Sequence, residues 1–172
     1  MNDFKIKLGA INGGENCFSF EIKDQFFEEF TLSDVEHANV TATALLDKEG
    51  DRLALTLTID GKINKLLCDI CTDEISVDIT AETKVIIKTT DEDLVSTDEI
   101  FYVKTSENAI DLKQLIFELI ILNAPKRRQH PLDKQGKVTC NEEMVDLIEK
   151  YTVQEEKSSD PRWDALKDLK IK

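Results

Sequence analysis

Long apolar runs, glycine, histidine and an excess of basic charge are all missing or scarce in this chain of 172 residues. Its longest aliphatic run, Leu119-Ile120-Ile121-Leu122, is far shorter than the ~20 residues that cross a bilayer. The start, Met1-Asn2-Asp3-Phe4-Lys5-Ile6-Lys7-Leu8, alternates charged and apolar residues and has no apolar core of a secretory signal, so a cytoplasmic chain without a membrane partner is expected. Only six glycines are present, and none forms a phosphate-cradling loop. His37 and His130 are the only histidines, and neither belongs to a nucleophile–base–orienter motif, so no catalytic residue and no enzymatic activity are expected. The net charge is −13, which excludes a generic basic coat for nucleic acid and leaves DNA out of the expected partners. An acidic domain prefers basic partners, or binds anions through one local basic patch.

What is present is enough for a core: 41% of the residues are apolar, and the length suits one domain with a tail. Phe4, Ile6 and Leu8 alternate with polar residues as a strand does, and Cys17, Phe18, Phe20 and Ile22 suggest a second strand with Cys17 as a core thiol. Phe26, Phe27 and Phe30 suggest a short helical turn. From about Ala38 to Ile87 the pattern reads as an antiparallel meander, rich in threonine, valine and isoleucine, with turns at Lys48-Glu49-Gly50-Asp51 and a hairpin signal at Asp60-Gly61. Residues 90–99 are acidic and read as a loop without the spacing of a calcium site. Ile100 to Val103 reads as a strand, and Asp111 caps a helix from Leu112 to about Leu122 that Pro125 ends. A short helix over Glu142 to Tyr151, a polar linker and a terminal helix starting at Asp160-Pro161 follow. The expected fold class is α+β: an antiparallel β-rich body over residues 1–150 with a packed helix, and a helical C-terminal tail over 151–172.

Charge is unevenly spread. Residues 1–125 carry −14 and residues 141–172 carry −3, whereas residues 126–140 carry +4. Lys126, Arg127, Arg128, Lys134 and Lys137 are therefore the candidate phosphate-binding residues, the arginines able to grip phosphate bidentately. The competing reading is a solvated segment that offsets the acidic body. No aromatic lies inside this segment on which a base could stack. In the tail, Arg162, Trp163 and Leu166 are candidate partner contacts; the alternative is that the terminal helix folds back and carries the indole into the body.

Four cysteines remain: Cys17, Cys68, Cys71 and Cys140. Cys68-Asp69-Ile70-Cys71 falls between two strand-like runs, where a tight turn lets both thiolates face one metal ion. Structural zinc takes four ligands, and His130 and Cys140 are the residues available to complete the set. Such a site would pin the basic segment onto the meander. Plain core thiols are the main alternative. A redox pair is disfavoured, because it belongs at a helix start after a strand and because Asp69 and Asp73 are expected to raise the thiol pKa.

Taken together, these parts resemble the bacterial and plastid YceD family of large ribosomal RNA subunit accumulation proteins. The resemblance rests on the β-rich first half, the Cys68/Cys71 turn, the acidic loop, the Ile110-Asp111-Leu112 start of a helix that ends near a proline, the segment holding His130 and Cys140-Asn141, and above all Asp160-Pro161-Arg162-Trp163-Asp164-Ala165-Leu166-Lys167-Asp168-Leu169, which is similar to the family's terminal DPRWxxLKKL. The chain departs from relatives whose C-terminal halves hold further Cys-x2-Cys pairs. The resemblance implies a binding role in large-subunit biogenesis, with 23S rRNA or its precursor and large-subunit ribosomal proteins as partners. The alternatives are an acidic chaperone for a basic ribosomal protein, and a zinc-binding or redox protein built on the cysteine pair.

Overall fold

Strict alternation of aliphatic and polar residues dictates a sheet with one buried face, and that is what forms. The computed structural model describes residues 4–30, 33–132, 134, 136 and 139–152. In chain order these residues form β1 (Lys5–Lys7), β2 (Gly14–Ile22), α1 (Asp24–Phe27), β3 (His37–Glu49), β4 (Arg52–Leu67), β5 (Glu74–Thr90), β6 (Ile100–Lys104), β7 (Ala109–Asp111), α2 (Lys113–Asn123) and α3 (Glu142–Tyr151). Strands β2 to β6 make a five-stranded sheet in sequence order, and β1 pairs with β7 in a separate ribbon. The class is α+β, as the sequence predicts. The terminal helix predicted from Asp160 lies outside the described residues.

The inner face of the sheet is aliphatic. Val40, Ala42, Ala44 and Leu46 come from β3, Leu55, Leu57, Ile59 and Ile63 from β4, and Ile75, Ile79, Val85 and Ile87 from β5. Helix α2 packs on β4 and β5, burying Ile116, Leu119 and Ile120. Asp111 accepts the Lys113 N–H at 3.0 Å at its start, and Ala124, extended as a residue before proline must be, ends it. The phenylalanines close one side: Phe4 meets Phe26 edge-on, and Phe30 stacks on Phe117 with ring centroids 3.8 Å apart.

Three expectations change. Asp60-Gly61 is not a hairpin, because β4 runs straight through it opposite Thr41 and Val40. Gly61 is there for space: a Cβ would sit 2.3 Å from the Asn39 carbonyl oxygen, so glycine marks a close approach of β3. The sheet is not wholly antiparallel, since loop 91–99 carries the chain back and β6 pairs with β5 in parallel, Ile86 opposite Ile100. Cys17 is exposed rather than in the core. Phe18, Phe20 and Ile22 turn inward on β2, so Cys17, one residue before Phe18 and paired with Leu45, faces the other way.

Candidate metal centre

One extra residue in β4 aims the first cysteine. Ile63 pairs with Val77 and Leu66 with Ile75, so β4 advances three residues while β5 advances two. This bulge, with Lys65 at φ 54°, moves the buried positions from Ile59 and Ile63 to Leu66 and Cys68. The chain then turns tightly: the Cys68 N–H donates to the Asp73 carbonyl at 2.9 Å and the Thr72 N–H to the Cys68 carbonyl at 3.0 Å. Within the turn the Ile70 N–H points at the Cys68 Sγ, 3.5 Å away, and Cys71 is buried beside it.

Asp69, between the two cysteines, grips the basic segment. Its N–H donates to the Arg128 carbonyl at 2.7 Å, and its Oδ2 accepts the Arg128 N–H at 2.8 Å. That reciprocal pair lays residues 126–130 along the turn and brings His130 to the sulfurs. Thr139 donates its hydroxyl to the Pro131 carbonyl at 2.7 Å, and the next residue, Cys140, is buried beside the other sulfurs. The next residue, Asn141, accepts the Glu143 N–H and caps α3.

The ligand atoms of Cys68, Cys71, His130 and Cys140 all lie within 4.8 Å of one another. The Cys68 and Cys140 sulfurs are 3.7 Å apart, close to the ~3.8 Å edge of a tetrahedron with Zn–S bonds of about 2.3 Å. The His130 Nε2 is buried with no hydrogen-bond partner, a costly state that a metal bond would relieve. The donor set, three sulfurs and one imidazole, is one that structural zinc takes. These residues therefore fit a zinc ion.

Electrostatics separate the thiols. Burial opposes ionisation of Cys68, but the N–H groups of Cys71, Ile70 and His130, with the Cys71 thiol, outweigh it and lower its pKa to about 6. The expectation that Asp69 and Asp73 raise this thiol is overturned: Asp69 spends its carboxylate on Arg128, and the turn's donors face the sulfur. Burial and then the neighbouring Cys68 sulfur push Cys140 up to about 11. Cys68 is thus the first thiolate, and a metal would displace the remaining thiol protons.

A family model described as "Large ribosomal RNA subunit accumulation protein YceD" matches residues 55–170, about two-thirds of the chain. The chain belongs to the YceD family. The match starts inside β4 and takes in all four clustered side chains, while β1, β2 and β3 precede it. The family's description gives the protein a role in accumulation of the large ribosomal RNA. No curated protein and no solved structure matches the chain. No described helix is long and apolar enough to cross a membrane.

The other candidate residues of this YceD-family chain fall into three groups. Lys126, Arg127 and Lys134 are exposed and make no ion pair with a described residue. Arg128 is half-buried, and its Nη2 lies 3.3 Å from the Asp34 Oδ2, so its guanidinium already has a carboxylate partner. Lys137, Arg162, Trp163 and Leu166 lie outside the described residues. Two roles escaped the sequence reading. Asp69 positions Arg128, and only its place between the cysteines could have pointed to it. Phe117 lines a groove of about 480 Å³ with Ile121, Pro125, Lys126 and Arg128, so an aromatic does stand beside the basic segment, supplied by α2.

Proposed function

We propose that the protein supports 23S rRNA accumulation in the cytoplasm by binding an assembling large subunit, not by catalysis, and that zinc on Cys68, Cys71, His130 and Cys140 serves structure. One observation supports this reading: His130 and Cys140, which bracket the basic segment, meet Cys68 and Cys71 of the turn between β4 and β5 in an acidic body. Four protein ligands fill a tetrahedral shell and leave no coordination position for a substrate. The zinc would supply a crosslink between the turn and the segment. Lys126, Arg127 and Lys134 then meet rRNA phosphates from a fixed platform, which lowers the ordering cost of contact. A second reading has its own support. Glu15 and Asp47 stand directly opposite each other on the solvent face of β2 and β3, a like-charge pair that a basic protein would neutralise. Holding a basic ribosomal protein would use that face.

The test is complementation in cells lacking the protein, read as the ratio of 23S to 16S rRNA across a sucrose gradient. Wild type is expected to restore 23S and free large subunits. The surface variant Lys126→Ala with Arg127→Ala, and Cys68→Ser with Cys71→Ser, are expected to fail at normal protein levels. A normal 23S to 16S ratio without the protein overturns the assembly role. Full rescue by the Lys126/Arg127 variant overturns phosphate contact and favours the acidic face.

A further inference from the structure

The two edges of the five-stranded sheet are finished differently. At one end stands β6, five residues long. Loop 91–99 closes it. The Ser96 hydroxyl oxygen accepts the Tyr102 N–H at 3.0 Å, the Thr97 hydroxyl oxygen accepts the Ile100 N–H at 3.1 Å, and the Thr97 N–H donates to the Ile100 carbonyl at 2.8 Å. At the other end stands β2, nine residues long, and no described backbone group pairs with its outer edge. Every second residue of β2 therefore aims an N–H and a carbonyl away from β3. The strand also lacks the lysine or proline that commonly blunts such an edge. The core stops short here as well. Ala42 and Ala44 on β3 are fully buried, but Phe20 and Phe18, opposite them on β2, are only half-buried. The solvent face beside this edge is acidic: Glu15 and Asp47 stand opposite each other, and neither has an ion-pair partner among the described residues.

We propose that an extended segment of a partner protein, alternating basic and apolar residues, adds antiparallel to the free edge of β2 as a sixth strand. This rests on the second reading above, a basic protein as partner, and adds the place and the mode of contact. The unpaired N–H and carbonyl groups of β2 supply the main-chain bonds, and the two faces of the sheet select the side chains. On the inner face, apolar residues of the added strand cover Phe18 and Phe20 and continue the core. On the solvent face, basic residues meet Glu15, with Asp47 behind it. Antiparallel addition continues the pairing of β2 with β3 and of β3 with β4, and it is the more stable kind per residue. Charge decides between occupants. A second copy would bring one chain of net charge −13 against another. RNA would set phosphates against Glu15 and Asp47 and has no peptide groups to pair with the edge. Residues 1–125 carry −14, so the field of the whole body draws a basic segment in.

The probe is a capped peptide of alternating lysine and valine, as long as β2, titrated into the full chain. Amide exchange read by nuclear magnetic resonance is expected to slow at every second residue of β2 and to stay unchanged in β6. Two isomers of equal charge test the main chain, one N-methylated on its lysines and the other on its valines. Only one of them carries its methyl groups on the edge that faces β2, so it is expected to bind about tenfold weaker than the other, or worse. Glu15→Lys with Asp47→Lys keeps a like-charge pair across β2 and β3 and reverses its sign, so the fold is retained while affinity for the parent peptide falls several-fold. Equal affinity of the two isomers overturns strand addition and leaves a basic partner standing. Failure of every lysine peptide to bind overturns both. Unchanged exchange in β2 with peptide bound, or undiminished affinity in the double variant, also overturns the proposal.

Discussion

Strands β3 to β5 and the arm from Pro125 to Tyr151 are held by different means. Each strand contributes at least four fully or nearly buried aliphatic side chains to one core. Among the described residues of the arm, Cys140 alone is buried. The arm is tied instead by polar links: Asp69 to the Arg128 backbone, Asp34 to the Arg128 guanidinium, Thr139 to Pro131, and the Cys/His cluster. The comparison teaches that one chain contains a region stabilised in proportion to buried area and another that borrows its order from a few donors. The basic residues proposed to meet RNA sit on the borrowed region, so the proposed zinc would bear on their placement far more than on the sheet.

On the proposed zinc site, chelation should break the comparison open most widely. Zinc binding in small zinc-finger peptides is worth roughly 10–16 kcal/mol, so a chelator is expected to erase amide protection across residues 126–152. Protection in β3 to β5 should persist, as hydrogen exchange read by mass spectrometry would show. Collapse of protection in both regions would mean that the sheet, too, leans on the cluster; unchanged protection in the arm would mean that its polar links suffice. The complementary change is Leu57→Ala, at a fully buried position in β4. A loss of about 2–5 kcal/mol is expected in denaturant unfolding, with metal stoichiometry by atomic emission unchanged. A variant that lost metal in step with stability would merge the two regions into one.

The two regions were also unequally legible in the sequence. Alternation of Leu53, Leu55, Leu57 and Ile59 announced β4, because a buried face imposes period two on the chain itself. The four clustered side chains were named from cysteine spacing and from the shortage of other ligands, and the fold brings them together. What stayed hidden depends on neighbours distant in sequence. Gly61 looks like a turn until β3 is seen against it, and the bulge that turns Cys68 inward leaves no composition signal. Arg128 reads as a free cation until Asp34, far back along the chain, arrives beside it. Cys17 is different: it was read as a core thiol, although its alternation with Phe18 and Phe20 already put it on the other face.

The smallest expected effect tests whether polar links matter on the sheet side as well. His37 at the start of β3 places its Nδ1 2.8 Å from the Asp24 Oδ2, and the Ala38 N–H donates to the other oxygen at 3.2 Å. The His37 contact, opposed by burial and helped by the Ala38 N–H, holds the Asp24 carboxyl below its ordinary value. A carboxyl with a lower pKa in the folded state contributes stability that is present above its unfolded pKa, near 4, and is lost as pH falls through the folded value. Asp24 is largely exposed, so solvent screens the contribution and keeps it small. Asp24→Asn is therefore expected to lower the urea midpoint slightly at pH 6 and to converge with wild type in acid, once the carboxyl is protonated in the folded state too. Equal curves at pH 6 and in acid would show that β3 is anchored by its aliphatic face alone; a large loss at pH 6 would put a polar tie at the root of the sheet and narrow the difference between the two regions.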